Sequence, residues 1–139
     1  MREIKFRAWN GGKMVFQNLT SNSGISIFFG SLERNAEIMQ YTGLKDKNGK
    51  EIYEGDILLI PDEWTEPILD YGQGPTEPFN HLAEVMLHKE WATFGLTITE
   101  SGNWYDKGFC SFEGASGING LDKFEVIGNI HENPELLEK

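Results

Sequence analysis

The stretch from Tyr41 to Leu58, YTGLKDKNGKEIYEGDIL, concentrates glycines, lysines and acids, the residue types that bind phosphate or calcium. A phosphate-binding loop places four residues between its first glycine and a Gly-Lys pair, which Ser or Thr then follows. Here five residues separate Gly43 from Gly49, and Glu51 takes the position of the hydroxyl. A carboxylate there repels phosphate, so the stretch does not match a phosphate-binding loop.

A calcium loop of the D-x-[DN]-x-[DN]-G type also fails on this stretch. Asp46 and Asn48 match the first two ligands, but Lys50 follows at position five and Ile57 replaces the final bidentate glutamate. The dipeptide Asn48-Gly49 is instead typical of a tight turn, because both residues tolerate positive φ. The sequence therefore predicts a structural turn over Asp46–Gly49, with a second bend at residues 54–56.

No other group of residues has the spacing of a catalytic or metal site. His81, His88 and His131 are far apart, and we expect each to be a surface or capping residue. Cys110 lies between Phe109 and Phe112, and no sequence feature supplies the base that a thiol nucleophile needs. We therefore predict no catalytic residue, no cofactor and no metal ligand, and the residues suggest no substrate for an enzyme.

Residues 61–80 differ in composition from the rest of the chain. They hold four of the five prolines, and no Lys or Arg occurs between Lys50 and Lys89. Because proline removes hydrogen-bond donors from a sheet, the segment is predicted to be a long insertion loop that is mobile or contacts a partner. Limited proteolysis is expected to cut there first. The candidate acidic loop consists of Asp62, Glu63, Glu66, Asp70 and Glu77.

The charge is unevenly distributed along the chain. Residues 1–50 carry eight basic and four acidic side chains, whereas residues 51–139 carry four basic and eighteen acidic ones. The outward face of the first strand is a candidate interaction surface made of Arg2, Lys5, Arg7 and Trp9. These basic residues could meet acidic surface on another copy of the chain, giving a homo-oligomer, or acidic surface within the same chain. Basic residues beside an aromatic could also bind single-stranded nucleic acid, although an acidic protein attracts phosphate weakly.

The elements that must position these residues are short strands. Alternating or continuous apolar residues predict strands at 2–9, 13–17, 25–29, 36–42, 56–60, 82–88, 92–99 and 124–130. Asn10-Gly11 supplies a hairpin turn between the first two strands. Residues 132–139 are predicted to form a short C-terminal helix. The predicted fold is mainly β, a single domain over residues 1–139 of short antiparallel strands, in a partly open barrel with a long Pro- and acid-rich insertion.

The composition limits the cellular setting. A chain of 139 residues is long enough for one domain with its own core. It contains a single cysteine, which fits a reducing cytoplasm. No apolar stretch reaches the roughly 18 residues of a membrane span, so no membrane partner is expected.

Three segments together resemble the YopX family of phage and prophage proteins in Gram-positive bacteria. They are REIKFRAW at Arg2–Trp9, MQYTGLKDKNGKEIYEGDI at Met39–Ile57 and VIGNIHENPELL at Val126–Leu137. The resemblance implies a mainly β fold and oligomers, and it transfers no catalytic residue. Residues 61–120 carry no part of it.

The predicted function is that of a phage or prophage accessory protein that acts by binding. The expected partners are copies of itself or a host or phage protein. The alternative is a module that binds single-stranded nucleic acid through the first strand.

Overall fold

The structure is a computed structural model that describes residues 4–17, 28–68, 72–118 and 120–137. It is mainly β, as predicted, with two antiparallel sheets, one of which forms a half-barrel. The strands are β1 (Phe6–Asn10), β2 (Lys13–Phe16), β3 (Glu37–Lys45), β4 (Glu51–Tyr53), β5 (Asp56–Ile68), β6 (Gly72–His88), β7 (Thr93–Ile98), β8 (Gly108–Ser111) and β9 (Glu125–Asn129). The helices whose two ends lie within the described residues are α1 (Phe112–Ile118) and two 3-10 turns, Leu121–Lys123 and Pro134–Leu137. The second 3-10 turn confirms the predicted C-terminal helix.

The first sheet has the order β2-β1-β3-β4. Its opening hairpin is confirmed, but the two loop residues are Gly11 and Gly12, at φ values of 60° and 94°, rather than Asn10 and Gly11, because Asn10 pairs with Lys13. The predicted strand at 25–29 is wrong at its end, because Phe28 and Phe29 are helical. Residues 25–27 of that prediction lie outside the described residues.

The second sheet has the order β8-β7-β6-β5-β9 and carries most of the core. Its inward side chains alternate along β5 and β6, so that Leu58 and Ile60 meet Ala83 and Val85 in a fully buried layer. β4 contributes Ile52 from the first sheet to the same core. The two sheets therefore share one apolar interior.

Arg7 lies at the junction of the two sheets, and the prediction that it faces solvent is wrong. Its side chain is 5% exposed, and Nη2 lies 2.7 Å from Oδ1 of Asp56, whose side chain is 2% exposed. Nη2 also donates to the C=O of Glu54 at 3.2 Å, and the guanidinium stacks 4.7 Å above the ring of Tyr53. Alternation along β1 predicts one buried and one solvated face. Arg7 belongs to the face predicted to be solvated, but Asp56 of the second sheet and Tyr53 of β4 cover it.

Asp56 is held by the same junction. Its Oδ2 accepts a hydrogen bond from the N–H of Tyr53 at 2.8 Å. Burial raises the pKa of Asp56 above its ordinary value of 3.8, and the charge of Arg7 opposes that rise. The ion pair therefore offsets the desolvation of a carboxylate inside the fold.

The turn predicted at Asp46–Gly49 is confirmed. Oδ1 of Asp46 accepts hydrogen bonds from the N–H groups of Asn48 and Lys50, each at 2.9 Å, and Gly49 has a φ of 79°. Oδ2 of Asp46 accepts from the N–H of Val126 at 2.8 Å. The carboxylate that matched a calcium ligand thus closes the turn and fastens it to β9.

Candidate functional site

Residues 61–68 and 72–80 form strands rather than a loop, which corrects the prediction for them. β5 and β6 pair continuously from Ile57 opposite Glu84 to Ile68 opposite Gly72, with one register shift. β9 borders β5 only along Asp56–Leu59, and β7 borders β6 only from Glu84 onwards. Residues 61–68 and 72–80 therefore extend beyond the sheet as a two-stranded ribbon, which we call the arm.

Pro61 and Pro78 fit this ribbon because their missing N–H groups would point away from the partner strand. Pro61 lies opposite Asn80, and Pro78 lies opposite Glu63. At these positions the backbone groups of β5 point away from β6, since the C=O of Glu63 accepts a hydrogen bond from the N–H of Asn103 at 2.8 Å. A proline in such a position removes no bond from the ladder. The prediction of a loop considered proline only in a central strand, where it is excluded, and not in a ribbon with open edges.

A buried His–Asp pair anchors the base of the arm. Nε2 of His81 lies 2.6 Å from Oδ2 of Asp62, and the two side chains are 2% and 0% exposed. Asp62 and His81 occupy the same inward face as Ile60, at diagonal positions on the two strands. Both predictions for these residues, a solvated acidic loop and a surface or capping histidine, are wrong.

The second oxygen of Asp62 attaches the segment 101–105 to the arm. Oδ1 accepts hydrogen bonds from the N–H of Glu63 at 2.6 Å and of Trp104 at 3.1 Å. A Cβ at Gly102 would collide with Oδ2 of Asp62, so only glycine allows this approach. The side chain of Asn103 then bonds Thr65, through its Oδ1 to the N–H at 3.2 Å and through its Nδ2 to Oγ1 at 2.7 Å.

The outer part of the arm combines apolar and acidic side chains. Trp64, Ile68 and Trp104 are 49%, 39% and 42% exposed. Glu66 and Glu77 are exposed beside them, Glu63 is half-buried, and Asp70 lies outside the described residues. A shallow cavity of about 450 Å³ opens between Trp64, Glu77, Phe79 and Ser101. Such a surface suits a partner that is both cationic and apolar.

The four residues of the candidate basic surface do not form one exposed patch. Lys5 pairs with Glu51, and Arg7 is buried as described above. Trp9 stacks on His131, with ring centroids 5.4 Å apart and an interplanar angle of 12°. Arg2 lies outside the described residues.

Ion pairs connect the basic half of the chain with its acidic half. Three pairs each join a residue of the range 1–50 to one of the range 51–139: Lys5–Glu51, Arg7–Asp56 and Lys47–Glu125. The uneven charge was expected to give contacts either with another copy or within the same chain. The structure shows contacts within the chain.

The described residues contain neither a cluster of metal ligands nor a helix suited to crossing a membrane. Across residues 4–17, 28–68, 72–118 and 120–137, no three His, Cys, Asp or Glu side chains form a group that could hold a metal ion. No helix in those ranges is long and apolar enough to cross a membrane.

Comparison with models of known protein families shows to which family this chain belongs. A family model described as "YopX protein" matches residues 5–138, nearly the whole length. The chain belongs to the YopX family. The match includes the arm, so the prediction that residues 61–120 carry no part of the resemblance is wrong. No curated protein matches the chain.

One solved structure extends the comparison of this YopX-family chain. It is the crystal structure of protein EF1440 from Enterococcus faecalis, which is 30% identical in sequence. The match covers 99% of this chain and 100% of that one, with a TM-score of 0.57.

Sequence reasoning missed Asp62 and His81, the residues that position the arm. A signal for Asp62 was present, because the inward alternation of Leu58 and Ile60 continues to residue 62. The partner of Asp62 could not be identified without the register of β5 on β6.

Proposed function

We propose that this YopX-family protein acts by binding another protein through the arm. The observation that carries the proposal is the surface of the arm with the adjoining Trp104, where exposed Trp64, Ile68 and Trp104 lie beside exposed Glu66 and Glu77. Exposed aromatic and aliphatic side chains grouped with one sign of charge are typical of an interaction site. The buried Asp62–His81 pair supports this use, because it fixes the arm relative to the second sheet.

The setting that we propose is a phage or prophage, with the protein acting as an accessory factor in the bacterial cytoplasm. Its partner is then a host or phage protein. Membership of the YopX family supports this origin. Nothing in the site points to catalysis, since the Asp62–His81 pair is sealed from solvent by the residues that it anchors.

Among the described residues, no contact favours the binding of single-stranded nucleic acid. That alternative needed Lys5, Arg7 and Trp9 on one open face, but the Arg7 side chain is 5% exposed and the charge of Lys5 is paired. The exposed surface of the arm is acidic and would repel phosphate.

Self-association is part of the proposal and uses a different surface. β2 is the outer strand of the first sheet as described, and Phe16 on it is 57% exposed. Since Lys5 and Arg7 pair within the chain, burial of apolar surface rather than charge would drive the association. Light scattering at about 100 μM, above the affinity of modest interfaces, should give a dimer mass that high salt leaves unchanged. A monomer under these conditions contradicts this part.

Site-specific photo-cross-linking tests the arm as the binding surface. A photoreactive phenylalanine replaces Trp64 in the protein expressed in cells that carry its gene. The matched control places it at Trp91, which is 65% exposed but lies at the turn between β6 and β7. We expect a discrete adduct with another protein from position 64 and none from position 91. Equal adducts from both positions, or none from position 64, would refute the proposal.

A further inference from the structure

The outer edge of β6 between Thr76 and Leu82 lies open along the arm. Within the described residues, β7 pairs with β6 only from Glu84 to His88, and no other strand borders that side. β7 ends at Ile98, and Thr99 and Glu100 form a bend that lies beside Phe79–Leu82 without pairing as a strand. An open strand edge presents a row of backbone donors and acceptors to any strand that can approach it.

The pairing of the arm decides which backbone groups point outward. Residues 59, 61, 63 and 65 lie opposite residues 82, 80, 78 and 76. On β5 this row turns away from β6, since the C=O of Glu63 and the N–H of Thr65 bond Asn103 instead. Opposite residues in an antiparallel ladder share their orientation. The N–H and C=O groups of Asn80 and Leu82 therefore point to the open side, whereas Pro78 in the same row offers its C=O alone.

A groove runs beside this edge. It has a volume of about 230 Å³, and its walls include Phe79, Leu82, Thr99, Leu136 and Leu137. The C-terminal 3-10 turn thus supplies apolar side chains next to outward backbone groups. Both features of a site for strand addition, an unpaired edge and pockets for alternate side chains, occur together.

We propose that an extended peptide of a partner protein adds to β6 as a further strand between Thr76 and Leu82. The proposal rests on the function proposed for the arm. Its peptide alternates apolar side chains, which enter the groove, with Lys or Arg. The peptide is expected to be positively charged because the arm is acidic: no Lys or Arg occurs between Lys50 and Lys89, and Glu77 lies on this strand. A second copy paired edge to edge would place two acidic arms together, which repel each other.

The experiment uses a synthetic octapeptide of alternating lysine and valine, titrated into the full chain and followed by amide NMR shifts. The test variant is Asn80→Pro, which deletes an outward N–H at a position opposite Pro61 and two residues after Pro78, where proline fits the ladder. Asn80→Ala retains the N–H and is the matched control. A second peptide with N-methyl groups on alternate amides keeps the charge but cannot pair as a strand.

We expect shifts centred on residues 76–82 and binding about tenfold weaker for Asn80→Pro and for the methylated peptide, with Asn80→Ala unchanged. Equal binding of both peptides would overturn strand addition while leaving the arm as a charged binding surface. Absence of binding by either peptide would also overturn it, whereas the cross-linking at position 64 decides the proposed function separately. If Asn80→Pro does not fold, the two peptides on the unmodified chain give the same decision.

Discussion

Replacement of Arg7 by methionine should destabilise the protein far more than the loss of a surface charge. The change leaves Asp56 buried without its ion-pair partner, and it removes the hydrogen bond to the C=O of Glu54 and the stack on Tyr53. Removing one member of a buried pair costs about 3–5 kcal/mol, whereas an exposed pair contributes about 0–1 kcal/mol. Since a domain is stable by about 5–15 kcal/mol, Arg7→Met should be marginally folded.

The cost should depend on pH in a defined direction. Burial already raises the pKa of Asp56 in the folded protein, and loss of Arg7 removes the largest influence that opposes this rise, so the pKa should rise further. A carboxyl group with a raised folded pKa favours folding below its unfolded value and loses that contribution as pH rises through the folded pKa. Arg7→Met should therefore lose least stability in acid, where Asp56 is protonated, and most at neutral pH.

Urea denaturation at pH 4 and pH 7 measures both effects. The double variant Arg7→Met with Asp56→Asn should be more stable at pH 7 than Arg7→Met alone, because the unpaired charge is gone and the amide oxygen still accepts from the N–H of Tyr53. A cost below about 1 kcal/mol that does not change with pH would show that Arg7 is solvated. That result would contradict the burial of the Arg7–Asp56 ion pair between the two sheets.

Three further predictions concern the turn, the anchor of the arm and the thiol. Gly49→Val should destabilise by about 1–2 kcal/mol, because Gly49 has a φ of 79°, and calcium or magnesium should leave the Tm unchanged; a rise of the Tm with calcium would contradict the turn. His81→Leu should cost about 2–3 kcal/mol in urea denaturation and Asp62→Asn less, since the amide retains acceptors for the backbone; equal small costs would contradict a buried pair. Cys110 should react with a thiol reagent at pH 8 more slowly than free glutathione, because burial raises the pKa of its thiol and lowers the thiolate fraction; equal rates would contradict this.

The features that the sequence predicted correctly are local. The turn at Asp46–Gly49 follows from a dipeptide, and the strands follow from alternation over a few residues. The family likewise followed from short segments, and the match over residues 5–138 confirms it. Each of these inferences needs no knowledge of what lies across the sheet.

The features that the sequence did not predict depend on distant partners. Arg7 is buried because Asp56, 49 positions away, faces it from the second sheet. Asp62 and His81 are 19 positions apart and meet only through the register of the arm. Whether proline fits a strand depends on which side of that strand has a neighbour, which composition alone does not reveal.

Charge reversal on the arm tests the account most directly. The variant Glu66→Lys with Glu77→Lys changes two exposed acids of the arm, and the control Glu90→Lys with Asp106→Lys changes two exposed acids outside it. Both variants alter the net charge of −10 by the same amount, so long-range charge is matched. The measurement is the yield of the protein adduct from the photoreactive residue at position 64. We predict a fall of about tenfold or more for the arm variant and little change for the control; equal yields would contradict the arm as the binding surface.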